Sequence, residues 1–453
     1  MLLIGLRRGK NSHENCHRAR HYTKELVKST EQTGSPLATI GFVLFCTFLL
    51  SGFANEWSLR LFGMKAYIST ATLILLPVVW LLSGGALRGL RTGIGLWWAA
   101  FLGWLILATP FSVWRGGSAT LLWNYAPRAY LCFFFTCSFV TSLRRCRQLM
   151  CVNIAGAAIL LATCAAFGGV GDDPGEFRFR IPQSLFYANA NDLALALLLG
   201  MTCFLFLFWR SGIAARLLAA AGILLCALYL VRTGSRGGFL AGLVLLGAVL
   251  VLNRNKARVA LVALPMAALV LAASPGESWH RLSLLMAEPG ASTDESSSDS
   301  SSVNSQEERQ AVLRRSILYT VRHPLFGVGP DQFAVAVGQE AQETGHHEAW
   351  LGTHNAFTQV SSECGIPALI CYVAVIGLCL RTNLHLYRRS RDVSTLRDVA
   401  AISLCLFAGT LVYATSAFFF HFAYSAHLPL LAGATAAMDL TTRRTNSVVT
   451  ITA

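Results

Sequence analysis

Residues 214–252 read AARLLAAAGILLCALYLV, then RTGSRGG, then FLAGLVLLGAVLVL. Two apolar runs flank a seven-residue link that holds two arginines and three glycines. A membrane crossing needs about 20 apolar residues at about 1.5 Å of rise each. The segment therefore reads as a helical hairpin with a charged turn at the water boundary. The same alternation recurs along the chain, at 37–54, 67–83, 94–110, 121–141, 149–168, 188–209, 258–274, 366–381, 399–417 and 421–439. With 214–231 and 237–252, this predicts an all-α integral membrane protein of about twelve transmembrane helices.

Composition agrees. Of 453 residues, 54% are hydrophobic and 13% charged, against about 25% charged in soluble domains. The net charge of +14 would suit nucleic acid, but its placement does not. Lysine and arginine fall in short clusters between apolar runs. With a cytoplasmic N-terminus, 24 of the 37 basic residues lie on inner segments and 12 on outer ones, as the positive-inside rule requires. No nucleic-acid partner is expected. Most of the thirteen cysteines lie inside apolar runs, without CxxC pairs, and read as small packing residues.

The organisation follows. Residues 1–36 are expected to form a basic cytoplasmic tail without a cleavable leader, and 37–274 to carry spans one to nine. Residues 275–365 form a long outer loop, 366–439 the last three spans, and 440–453 a cytoplasmic tail. Within the loop, 291–305 is rich in Ser, Asp and Glu and has little to bury, so disorder is expected. Residues 307–322 place Val312, Leu313, Ile317, Leu318 and Val321 at helical spacing. An amphipathic helix lying on membrane lipid is expected there. Deleting 292–305 is expected to be tolerated.

Four polar features share the predicted outer side. Arg236 lies in the hairpin turn, where a guanidinium is costly unless solvated or paired. Arg309, Arg314, Arg315 and Arg322 lie on the amphipathic segment. Arginine forks suit phosphate oxygens. Arg315 and Arg322 share a helix face, whereas Arg309, six residues from Arg315, points elsewhere. His354 and Asn355 lie at the mouth of the tenth span, nine residues before Glu363 in the case of His354. An imidazole there can take a proton from a hydroxyl. Arg178 and Arg180 precede Asn189, Asn191 and Asp192, which can cap a helix or bind sugar hydroxyls. His346, His347 and His354 fit no standard metal-ligand spacing.

In order and spacing these blocks resemble the O-antigen ligase and O-antigen polymerase superfamily of bacterial membrane glycosyltransferases. Phe186-Tyr-Ala-Asn-Ala-Asn191-Asp-Leu-Ala resembles an Asn-Pro-Asn-(Asp)-Leu-Ala block, with Ala190 replacing proline. Thr233-Gly-Ser-Arg236-Gly-Gly resembles a Ser-Arg-Gly/Thr block. Arg309 ahead of His323-Pro-Leu-Phe-Gly327-Val-Gly329 resembles the third. His354-Asn355 followed by Gly365 resembles the fourth, with Ala368 where a second glycine or threonine is usual.

The resemblance implies a GT-C-like bundle in the bacterial inner membrane, with its site facing the periplasm. It implies a glycan on undecaprenyl pyrophosphate as donor, and a hydroxyl on a glycan, lipid or protein as acceptor. Arg236 and Arg309 would hold the pyrophosphate and His354 would act on the acceptor. Arg180, Asn189, Asn191, Arg315, Asn355 and Glu363 would line the substrate site. Neither a cofactor nor a metal is implied. The competing class is a secondary transporter or lipid-linked glycan flippase. That class places polar groups near the midplane, often in two related halves. Here Arg128 and Asn124 are the main midplane candidates.

Overall fold

A computed structural model describes residues 35–63, 67–125, 131–170, 178–184, 186–210, 212–253, 256–273, 297–343 and 352–451. The described chain is almost entirely helical, as an all-α membrane protein must be to satisfy its backbone internally. The helices are α1 (Pro36–Phe62), α2 (Ile68–Leu82), α3 (Gly93–Ala108), α4 (Arg115–Tyr125) and α5 (Leu131–Phe139). Next come α6 (Leu143–Phe167), α7 (Ala190–Arg210), α8 (Ile213–Arg232), α9 (Arg236–Leu252) and α10 (Lys256–Ala273). The remainder are α11 (Ser297–Arg322), α12 (Phe333–Glu343), α13 (Ala356–Ser390), α14 (Arg397–Ser416) and α15 (His427–Ile451). Between α6 and α7, β1 (Gly169–Val170) pairs antiparallel with β2 (Phe179–Arg180), Gly169 opposite Arg180.

Among the described residues, seven helices are long and apolar enough to cross a membrane: α1, α3, α6, α7, α8, α13 and α14. Helices α2 and α9 are apolar but shorter. The stretch expected as a fourth span falls on α4 and α5, on either side of 126–130. Those five residues, Arg128 among them, lie outside the described residues. The loop helix begins at Ser297, inside the stretch expected to be disordered, and so is longer than the apolar spacing suggested. Residues 1–34, 274–296 and 344–351, which include His346 and His347, lie outside the described residues.

The buried core is aromatic and aliphatic. Trp98 packs on Phe101 within α3, and Phe101 meets Tyr372 of α13, which also contacts Phe357 at a ring distance of 5.9 Å. Two pairs of polar side chains bond to each other inside the bundle. The Tyr372 and Tyr413 hydroxyls lie 2.7 Å apart, and Asn383 donates to Thr435 at 2.8 Å. Such pairs tie α13 to α14 and α15 where water cannot serve.

Helix α13 starts ten residues before the expected span and bends at Gly365, where φ is +82° and ψ is 177°. Two sequence features cause the bend. Gly365 adopts a backbone that L side chains avoid. Pro367 has no N–H to offer the Glu363 carbonyl. A second segment fills the gap. Gly329 N–H donates to Glu363 O (2.8 Å), Val328 N–H to Ser362 O (2.9 Å), and Ile366 N–H to Pro324 O (2.8 Å). Thus the His323-Pro-Leu-Phe-Gly-Val-Gly turn is clasped against the bend. Trp104 of α3 secures the pair, donating to Cys364 O at 2.9 Å and Leu325 O at 3.2 Å.

Candidate functional site

The site is organised around the connection 417–426 between α14 and α15. A run into the membrane from 421 was expected here, but α15 starts only at His427. The intervening residues make a bonded loop. Gln359 Oε1 accepts from Ala423 N–H at 3.1 Å, the Phe422 carbonyl accepts from Tyr413 at 3.3 Å, and Tyr424 donates to Glu363 at 2.6 Å.

One side of this loop carries His354. Ala356 N–H donates to Ala417 O at 2.7 Å, and Phe357 packs on Phe418 at 4.6 Å between ring centroids. Asn355 caps α13, its Oδ1 accepting from Phe357 N–H (2.9 Å) and Thr358 N–H (3.1 Å). The capping leaves His354 at φ +51°, a left-handed backbone uncommon outside glycine. Its ring meets His421 edge-on, with centroids 5.4 Å apart and planes at 80°. Burial, then His421, then Arg309 hold the His354 pKa down at about 4. The imidazole is therefore neutral at pH 7, able to accept a proton, and within the field of Arg309.

The other side of the loop meets the Arg236 turn. Gly237 sits so close to Phe419 that a methyl group there would collide with its ring. Ser235 caps α9 by accepting from Gly238 N–H at 3.2 Å, and Thr233 accepts from Ser235 N–H at 3.2 Å. Arg236 is thus the first residue of a helix, where unsatisfied N–H groups and the helix dipole also favour an anion. Arg178 links this turn to the asparagine block, donating to Asn191 Oδ1 (2.6 Å) and Thr233 O (3.3 Å). Asn189 Oδ1 accepts from Asn191 N–H at 2.9 Å. Ala190 opens α7, a position that suits the proline it replaces in the resembled block.

The structure divides the predicted site residues. Arg309 and His354 interact, and both the His354 segment and the Arg236 turn pack on the 417–426 loop. Asn189 and Asn191 reach the Arg236 turn through Arg178. Arg180 is half-buried in β2, opposite Gly169. Arg315 lies elsewhere, beside Tyr319 and Glu340. Arg322 pairs with Glu340 at 3.0 Å, and Tyr319 donates to the same carboxylate at 2.6 Å. These bonds, the tyrosine's first, hold the Glu340 pKa below the usual carboxylate range. Glu363 is 3% exposed and accepts from Tyr424 and from Asp331 N–H (3.0 Å), so its carboxylate braces the turn. Asn355 spends its oxygen on the helix cap.

Four participants escaped the sequence reading: His421, Gln359, Tyr424 and Asp331. Three polar side chains, His421, Tyr424 and His427, within a supposed apolar run were the available signal. Among the described residues, no cluster of His, Cys, Asp or Glu could hold a metal ion.

The His354 titration gives a direct check. Its folded value lies below that of a free histidine, so protonation opposes folding as pH falls from about 6.5 through about 4. Above that window it contributes no pH dependence. Replacing Arg309 with glutamine removes one repulsive charge. The midpoint of the His354 ring carbon resonance in NMR should then move upward. An unmoved midpoint would separate the two residues.

Residues 221–373 match the family model described as O-antigen ligase. The matched region contains Arg236, Arg309, His354 and the Gly365 bend. No curated protein matches the chain.

Proposed function

From the match of residues 221–373 to the O-antigen ligase family model, we propose that this multi-pass membrane protein transfers a glycan from undecaprenyl pyrophosphate to a hydroxyl acceptor. The reaction takes place at the periplasmic face of the inner membrane. The observation that carries this reading is that the His354 segment and the Arg236 helix start pack on one anchored loop, with the Arg309 charge acting on a neutral His354.

In the reaction the acceptor oxygen attacks the anomeric carbon. His354 takes the hydroxyl proton as the new C–O bond forms. The bond from that carbon to the pyrophosphate oxygen breaks, and its electron pair leaves with the pyrophosphate. Charge grows on the departing oxygen, and two guanidinium groups plus a helix N-terminus are suited to stabilise it. The protein's own cations serve this role, so the proposed reaction is metal-independent. The acceptor is another lipid-linked glycan in a polymerase, a lipid core in a ligase, or a serine or threonine in a protein glycosylating enzyme.

Arg236→Lys and Arg309→Lys test the guanidinium role. Lysine keeps the charge but loses the planar fork. Each change is expected to slow transfer about 100-fold, the scale for losing one preorganised donor. The measurement is the lipid-linked glycan that accumulates in cells carrying each variant as the sole copy, read by mass spectrometry. Wild-type levels in both variants would remove the arginines from the reaction.

A further inference from the structure

The 417–426 loop holds its residues very unequally. Phe420, Phe422, Ala423 and Tyr424 are buried, whereas His421 among them is exposed. The loop is fixed on both sides of it by the Ala417, Phe422, Ala423 and Tyr424 bonds. His421 is therefore held in place, open to water, with its ring against Gly352 and edge-on to His354. The ring centroids lie 5.4 Å apart, and one water can bridge polar groups too far apart to bond directly. The other charge that acts on the pair is Arg309, on the His354 side.

This arrangement bears on a problem in the reaction. Once His354 has taken the acceptor's proton, a half-buried imidazolium lies in the field of Arg309. Like charges in a partly desolvated place repel. Resting on the glycan-transfer reading, we propose that His421 is a positioning residue that relays the acceptor's proton from His354 to bulk water. The acceptor O–H bond breaks and His354 gains the proton. The bridging water passes a proton to His421 while receiving one from His354. His421 then releases its proton to solvent. Both imidazoles end neutral, the pyrophosphate keeps the electron pair of the broken bond, and no redox partner is needed.

The test uses the full-length protein in lipid vesicles. The donor is lipid-linked glycan extracted from cells deleted for this gene, and the envelope of those cells supplies the acceptor. Release of undecaprenyl pyrophosphate is followed at increasing imidazole concentration. His421→Gln should lower kcat about 10- to 100-fold, within the range for proton-transfer groups, with KM little changed. Added imidazole should restore much of the loss by carrying the proton itself. Unchanged turnover in His421→Gln, a rise in KM alone, or a loss that imidazole fails to restore would each overturn the relay. If His421→Gln does not reach the membrane, His421→Ala serves under the same titration and the same criteria. His354→Ala, run in parallel, separates the two readings. Its inactivity beside a fully active His421→Gln removes the relay alone. Full activity of His354→Ala removes the transfer reading and the relay with it.

Discussion

His354→Ala is expected to lower glycan transfer by about 10²- to 10⁴-fold, the range for removing a general base, while leaving the protein folded in the membrane. The structural reason for the second half is the backbone. His354 sits at φ +51°, so its side chain is tolerated there rather than required by the fold. Glycine fits that conformation without strain, and relief of order 1 kcal/mol offsets lost packing. His354→Gly should therefore unfold at or near the wild-type temperature, yet be as inactive as His354→Ala. A purely structural histidine gives the opposite pattern, with activity falling only as far as stability falls. The measurement is transfer rate beside thermal unfolding for the two variants. Parallel loss of both properties would contradict the assignment.

Gly365→Ala should have the largest effect on the fold. A methyl group at Gly365 would run into the Leu325 carbonyl, and alanine does not adopt φ +82° with ψ 177° comfortably. Such a backbone costs roughly 1–3 kcal/mol without glycine. Overpacking typically adds another 1–3 kcal/mol. The three bonds that clasp the His323–Gly329 turn to the bend would be displaced as well, each worth about 1 kcal/mol. Gly327 meets the same junction from the other side, at φ +63° and against the Glu363 main chain. Alanine there should act alike. Gly377, on the same helix with open space around it, is the control and should accept alanine with little change. Thermal unfolding of purified Gly365→Ala, Gly327→Ala and Gly377→Ala checks the set. Equal stability in all three would show that the clasp is unimportant.

Much of the fold was legible because a lipid environment writes plainly in sequence. Long apolar runs such as 149–168 and 188–209 became α6 and α7, with ends within two residues except the start of α6, which lies six residues earlier. Apolar density is a poor guide to where a helix bends or where a polar loop interrupts it. That is why α13 was expected to begin at 366, although its first turns cap at Asn355 and bend at Gly365. The same reason placed His421 inside an apolar segment when it belongs to a loop. Arg309 and Arg315 were separable in sequence because six residues turn a helix by about 240°. The structure indeed puts one beside His354 and the other beside Glu340. What sequence could not supply was the pairing of distant segments. Arg178 to Thr233, Gln359 to Ala423 and Tyr424 to Glu363 depend on chain crossings that no local pattern encodes. Likewise Glu363 and Asn355, chosen for their chemistry, have carboxylate and amide oxygens engaged in bracing and capping.

The measurement closest to the core of the account is binding of undecaprenyl pyrophosphate to the protein in nanodiscs, with undecaprenyl monophosphate as the comparison. Two guanidinium groups directed at a diphosphate should give the pyrophosphate lipid the higher affinity. Arg236→Gln and Arg309→Gln should each weaken it about 10- to 100-fold, the scale of a lost charge-assisted bond. His354→Ala should bind it as tightly as wild type. Equal affinities for the two lipids, unaltered by either arginine change, would contradict the claim that these residues receive the donor's diphosphate.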